Sequence, residues 1–267
     1  MKLQPVKPGA APALGDEVAD VTQEAGDAEV RKHIAKIGER MDELQTALYA
    51  EGKQALLIVL QARDGAGKDS TIRRVFGRLN PVGCMVTSFK VPTALELRHD
   101  FLWRVHQAVP PKGTIGVFNR SHYEDVLVVR VHQLVPEKVW RARYDQINAF
   151  EHLLTQNGVT ILKFFLHISK DEQKERLRER LDDPAKQWKF NAADLGERDK
   201  WDEYTHAYTD VLRLTSTPEA PWYVVPADKK LPRDAMIAEV VVEALERMDP
   251  RFPGPPEGLE EFRRLLS

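Results

Sequence analysis

The sequence predicts an α/β protein: a parallel five-stranded sheet with helices on both faces. Three observations carry this. Five short apolar runs, rich in β-branched and aromatic residues, recur along the chain. Longer stretches with helical apolar spacing separate them, and strand–helix alternation calls for parallel crossovers. The chain has 267 residues, enough for one large domain of this kind.

Residues 1–25 mix Pro, Gly, Ala and acids with little periodicity, which predicts an arm, flexible or draped over the domain. Val30, Ile34, Ile37, Met41, Leu44 and Leu48 then recur at helical spacing and predict a helix over 28–50. The predicted strands are ALLIVL (55–60), CMVTSF (84–89), TIGVF (114–118), TILKFFL (160–166) and WYVV (222–225). Between and after them lie helical stretches near 68–79, 94–108, 120–132, 137–157, 170–182, 197–216 and 232–248. Residues 26–267 thus read as a single domain. After Pro184 the stretch QWKFNAADLGERDKWDEY is poorly apolar and suits an exposed excursion, a lid.

Hydrophobic residues make up 42% and charged residues 30%, with a net charge of −2, so no global basic field marks a nucleic-acid or membrane-surface binder. Any anion site must be a local concentration of Lys and Arg. The single cysteine, Cys84, excludes an internal disulfide framework and argues against a cysteine zinc site. No secretory h-region and no 18-residue apolar run is present, so a cytoplasmic protein without a membrane partner is expected.

The first concentration of chemistry is QARDGAGKDS, residues 61–70, between the first strand and a helical stretch. Phosphate binding needs backbone N–H groups at a helix start, a tight turn and one Lys reaching the anion. Asp64, Gly65, Ala66, Gly67 and Lys68 supply these parts. The loop departs twice from G-x-x-x-x-G-K-[ST]. Ala62 replaces the first Gly, which a methyl tolerates where φ is negative. Asp69 replaces the metal-binding hydroxyl; Ser70 or Thr71 substitutes only if the register shifts. An ordinary Gly-rich turn with a surface Lys is the alternative.

The second is TIGVFNRSHYEDVLVVR (114–130), where residues after a strand's carboxyl end face the ligand crevice of a parallel sheet. Ser121, Glu124 and Asp125 also read as a helix start, with Ser121 as N-cap and the acids complementing the dipole. Arg120 is unfavourable at a helix start unless an anion or a carboxylate lies nearby, so it is the sharper pointer to phosphate. His99, His106, His122 and His132 form no ligand cluster with Cys and read as packing or surface residues. In SKDEQKERLRERLDDPAKQWKF (169–190) the cations and six acids read first as a solvated helix. Beside a phosphate loop the stretch also reads as an Arg-bearing lid, with Arg180, at the helix end, preferred over Arg176 on the same face.

On QARDGAGKDSTIRRV, FKVPT, DFLWRVH, FNRSHYEDVLVVRVH, ILKFFLHISKDEQKERLRERLDDP, KWDEY and APWYVVPADKK, the chain resembles the polyphosphate kinase 2 family of the P-loop kinase superfamily. The resemblance runs from about Leu44 to about Leu245 in matching order. It implies a three-layer α/β/α sandwich of P-loop kinase type with a helical lid at about 181–204. It implies reversible phosphoryl transfer between inorganic polyphosphate and nucleotides with Mg2+, Mn2+ being a substitute. It also implies a homodimer or homotetramer. Asp64 resembles the family's metal-associated carboxylate, with Glu124 and then Asp125 as further metal candidates. Asn119 stands where many members have Asp; with Glu124 this resembles the class III subgroup, which accepts AMP and ADP. Guanine nucleotides stay open as acceptors.

The roles expected under that resemblance are these. Asp64, Lys68, Arg120 and Arg180 serve the transfer step. Arg63, Gly65, Ala66, Gly67, Lys68, Asp69, Ser70, Asn119 and Glu124 contact the nucleotide and its phosphates. Lys68, Arg73, Arg74, Lys90, Arg120 and Arg130 line a polyphosphate channel. The rival activity is an ATP-dependent nucleoside monophosphate kinase, and the more distant one a non-catalytic nucleotide-binding module.

Overall fold

The computed structural model describes residues 2–21 and 26–267. Five parallel strands, β1 (Ala55–Ala62), β2 (Cys84–Ser88), β3 (Ile115–Asn119), β4 (Val159–His167) and β5 (Trp222–Pro226), form one sheet in the order β2-β3-β1-β4-β5. The helices are α1 (Asp27–Glu51), α2 (Lys68–Thr71), α3 (Trp103–His106), α4 (Val128–Val131), α5 (Glu137–Gln156), α6 (Lys170–Asp182), α7 (Ala193–Asp199), α8 (Trp201–Thr215), α9 (Lys230–Met248) and α10 (Leu259–Leu265).

The central strand explains the layering. Every residue of β1 is buried. Successive side chains of a strand point to opposite faces, so Leu56, Ile58 and Leu60 join one core with Met41, Leu48, Ile237 and Val241 of α1 and α9. Leu57 and Val59 join the other with Ile147, Phe150, Val211 and Leu212 of α5 and α8. Each such side chain contributes about 1.5–3 kcal/mol on leaving water. The result is a three-layer α/β/α sandwich. Registers such as Leu60 beside Asn119 and Ala62 beside Leu166 bring the carboxyl ends of β1, β3 and β4 to one edge.

The helices near that edge are more broken than the spacing predicts. Residues 68–79 form α2 and then a π turn, Ile72–Phe76. In 94–108 only α3 and a 3-10 turn, Glu96–Arg98, are helical. There Thr93 and Glu96 cap one another, closing a single turn. In 120–132 a 3-10 turn, His122–Asp125, precedes α4. Ser121 does cap, accepting from the Tyr123 amide at 3.2 Å, but the Glu124 carboxylate turns away from the cap, so no capping box forms. The helix expected over 197–216 is divided at Lys200, and α10 has no counterpart in the expected elements.

Of the arm, Leu3, Leu14, Ala19 and Val21 are buried. Its backbone bonds to the β5 region, Val6 N–H to Trp222 O at 2.8 Å and Asp228 N–H to Ala19 O at 3.1 Å. Residues 22–25 lie outside the described residues.

Candidate active site

The chain leaves β1 at Ala62 and turns through Gly65 (φ 85°) and Gly67 (φ 97°), left-handed conformations that disfavour a Cβ. The loop is held from beneath by three side chains that claim its carbonyls. Gln173 Nε2 donates to Asp64 O at 2.8 Å, Arg176 Nη1 to Gly65 O at 3.1 Å and Arg233 Nη1 to Ala66 O at 2.8 Å. With the carbonyls engaged there, the first amides of α2, which have no intrahelical acceptor, are free to meet an anion. Lys68 Nζ donates to Ala62 O at 3.1 Å. Burial, and then Arg120, pull its pKa below the usual lysine range.

Arg120 follows β3 in a left-handed conformation, φ 61°, that costs a non-glycine residue about 1–2 kcal/mol. Its amide donates to Leu60 O at 3.0 Å, and its guanidinium reaches Asp64 at 2.6 Å and Glu124 at 3.4 Å. Gln61 donates to the other Glu124 oxygen at 2.9 Å. Burial works to lower the Arg120 pKa; Glu124 and Asp64 outweigh it and raise it. The two departures from the usual loop pattern meet in space: Asn119 Nδ2 donates to Asp69 Oδ1 at 2.8 Å. The acid and its neutral partner have exchanged places between loop and strand.

Two cavities open here and share Asp64 and Arg120. The first, about 650 Å³, is lined by ten Lys and Arg side chains against three carboxylates. It brings together Lys68, Arg73, Arg74, Lys90, Arg120 and Arg180, with Asp69 and Ser70 on its floor. Arg180 donates to Asp194 of α7 at 3.1 Å. Trp188, 77% exposed, lies on the same rim. The second cavity, about 290 Å³, is walled by Leu127, Val128, Trp201, Tyr204 and Tyr208, with Arg63, Glu124, Asp194 and Glu197 as its charged groups. The Arg63 guanidinium stacks 4.0 Å over Trp201 and donates to Thr205 at 2.5 Å. Its Nε and Nη1 have no hydrogen-bond partner among the described residues, and burial pushes its pKa down to about 10. His132 meets Glu197 at 2.9 Å, joining α7 to the end of α4.

Two expected residues are not brought to the loop. Asp125 accepts from Arg143 at 2.9 Å and lines neither cavity. Arg130 donates to Asp210 at 2.8 Å and to Tyr144, stacks on Trp140, and lines a separate groove of about 700 Å³. Asp125 ends the 3-10 turn, where Arg143 of α5 holds it, and Arg130 lies beyond the break at Leu127 (φ −104°, ψ −85°) in the helix expected to carry both toward the site. Sequence reasoning missed Arg233 and Asp234, both fully buried. Asp234 accepts from Arg233, Thr71 and Arg74, tying α9 to the loop helix. The available signal was an Arg-Asp pair opening the mostly apolar stretch LPRDAMIAEVVVEAL.

The family model for polyphosphate kinase 2 matches residues 24–253. The chain belongs to the polyphosphate kinase 2 family. It is 53% identical over 239 residues to the AMP/ADP-polyphosphate phosphotransferase of Meiothermus ruber, covering 90% of both chains. It is 48% identical to the ADP-polyphosphate phosphotransferase of Rhodopseudomonas palustris, covering 80% of this chain and 78% of that one. The crystal structure of Polyphosphate Kinase 2 from Arthrobacter aurescens TC1 superposes with a TM-score of 0.89 at 41% identity, over 99% of this chain and 98% of that one.

In this polyphosphate kinase 2, no group of three or more His, Cys, Asp or Glu among the described residues is placed to hold a metal by itself. Mg2+ asks for less, since it typically keeps one or two carboxylates and takes substrate phosphate oxygens and water for the rest. Asp64 and Asp69 border the basic cavity and fit that donor set. Among the described residues, no helix is long and apolar enough to cross a membrane.

Proposed function

We propose that this polyphosphate kinase 2 transfers the terminal phosphoryl group of inorganic polyphosphate to AMP and to ADP, reversibly. The observation that carries the reading is the pair of cavities meeting at Asp64 and Arg120. The cation-rich one suits a chain of phosphates; the aromatic one suits a nucleoside. Phosphates of the nucleotide then enter along Arg63, the cation that lines this cavity beside the shared Arg120. Acceptance of both AMP and ADP is supported by Asn119 and Glu124, and by the similarity to the AMP/ADP-polyphosphate phosphotransferase of Meiothermus ruber.

The step needs no protein nucleophile. An oxygen of the nucleotide's terminal phosphate attacks the terminal phosphorus of polyphosphate, a P–O bond forms in line with the one that breaks, and the shortened chain leaves with the electron pair. Lys68, Arg120 and the loop amides hold the migrating group's oxygens, and Arg180 covers them from the lid side. Arg120 also spans the two cavities, so it orients donor and acceptor together. Asp64 and Asp69, with Glu124 behind Arg120, would hold Mg2+, or Mn2+ in its place. The bound ion supplies charge neutralisation between two anions. A homodimer or homotetramer belongs to the same proposal and is read by light scattering.

The test is ATP-free polyphosphate with AMP, ADP, GMP or GDP, products resolved by ion-exchange chromatography. ADP from AMP and ATP from ADP are expected, lost on chelation of Mg2+. Phosphorylation of AMP by ATP with none from polyphosphate would establish the monophosphate kinase instead; binding without turnover would leave a nucleotide-binding module.

A further inference from the structure

A small cavity of about 150 Å³ lies between α1, the π turn and α9 and shares Arg74 with the basic cleft. Its other charged groups are Arg31 of α1 and Arg78, just past the π turn. No carboxylate is among the described residues that line it. That composition is unusual on a chain with net charge −2. The Asp234 carboxylate that pairs with Arg74 also pairs with Arg233, so one negative charge serves two guanidiniums. Arg78 donates to the Ala35 carbonyl at 3.3 Å and lies across Gly38, where a Cβ would come within 3.3 Å of its Cδ. The missing side chain lets Arg78 lie flat on α1, level with the cavity.

Guanidiniums that outnumber the one carboxylate they share repel, and a polyanion relieves that repulsion. The basic cleft takes the reacting end of a polyphosphate chain, and a longer chain must leave it. On the lid side the cleft is bordered by Glu179, beside Lys230 at 3.9 Å. On the Arg74 side the next cavity is free of carboxylates among its described lining. We infer that the cavity bounded by Arg31, Arg74 and Arg78 is a distal subsite for internal phosphates of long-chain polyphosphate. This rests on the reading of the basic cleft as the polyphosphate site. Its consequence is a preference for long chains over tripolyphosphate, expressed in binding and not in turnover.

The test compares long-chain polyphosphate with tripolyphosphate for wild type, the double variant Arg31→Ala/Arg78→Ala, and a charge-matched control, Arg263→Ala/Arg264→Ala in α10. Arg31 and Arg78 are exposed, so the variant folds, which its melting temperature checks. Equilibrium dialysis without nucleotide reads binding; ADP phosphorylation reads KM and kcat. The double variant is expected to bind long chains about tenfold more weakly, with a shallower dependence on salt, while tripolyphosphate binding and kcat hold. The control matches wild type. Unchanged long-chain binding would overturn the subsite, as would an equal loss for both lengths. Absence of transfer from either chain in wild type would strike the kinase reading instead, and length-dependent binding lost in the double variant would still support the subsite.

Discussion

Replacing Arg120 by Ala separates chemistry from folding. The side chain is 36% exposed and its partners Asp64 and Glu124 are 27% and 17% exposed. Ion pairs of that kind contribute about 0–1 kcal/mol each. Arg120→Ala therefore costs at most about 2 kcal/mol, a fall of about 4–8 °C in melting temperature. The left-handed backbone at φ 61° strains Ala as it strains Arg, so nothing is regained there. Arg120→Gly relaxes it and should be about 1 kcal/mol more stable than Arg120→Ala. The catalytic loss is larger. A fixed cation on the migrating phosphoryl group is worth about 10²–10³ in kcat, or about 2.7–4 kcal/mol of barrier. Both variants should show it in ATP formation from ADP and polyphosphate. Arg120→Lys should recover only part, since one ammonium cannot fork between Asp64 and Glu124. A kcat for Arg120→Ala within about threefold of wild type, under about 0.7 kcal/mol of barrier, would refute the assignment.

Three further outcomes are expected. Lys163→Met strands Glu151, which keeps only Tyr123 and His122, and should cost about 3–5 kcal/mol by urea unfolding; adding Glu151→Leu should restore most of it. Gly67→Ala places a methyl at φ 97° against Arg233 Nη1, so polyphosphate turnover should collapse and its KM rise, while far-ultraviolet circular dichroism keeps its shape. Lys68 has a lowered pKa, so its positive charge is lost earlier than an ordinary lysine's as pH rises. Anion binding favours the charged form, and kcat/KM for polyphosphate should therefore fall on the alkaline side, beginning below pH 10.5; a flat profile to that pH would contradict it.

The sequence by itself determined the five strands, their parallel sense and the central place of the phosphate loop. A period-2 strand buried on both faces reads as a continuous apolar run, and the local turn chemistry of DGAGK needs no distant partner. It also singled out Arg120, because a cation at a helix start is a local anomaly. Only the tertiary structure decided which cations converge. Arg130 and Arg120 stand ten positions apart by their numbers, yet the backbone break at Leu127 sends one to Asp210 and leaves the other on Asp64. Asp69 and Asn119 looked like two separate departures; the pairing of β1 with β3 makes them one hydrogen bond. Arg233 and the aromatic wall of Trp201, Tyr204 and Tyr208 come from distant segments folded over the sheet edge, a long-range arrangement that no local pattern carries.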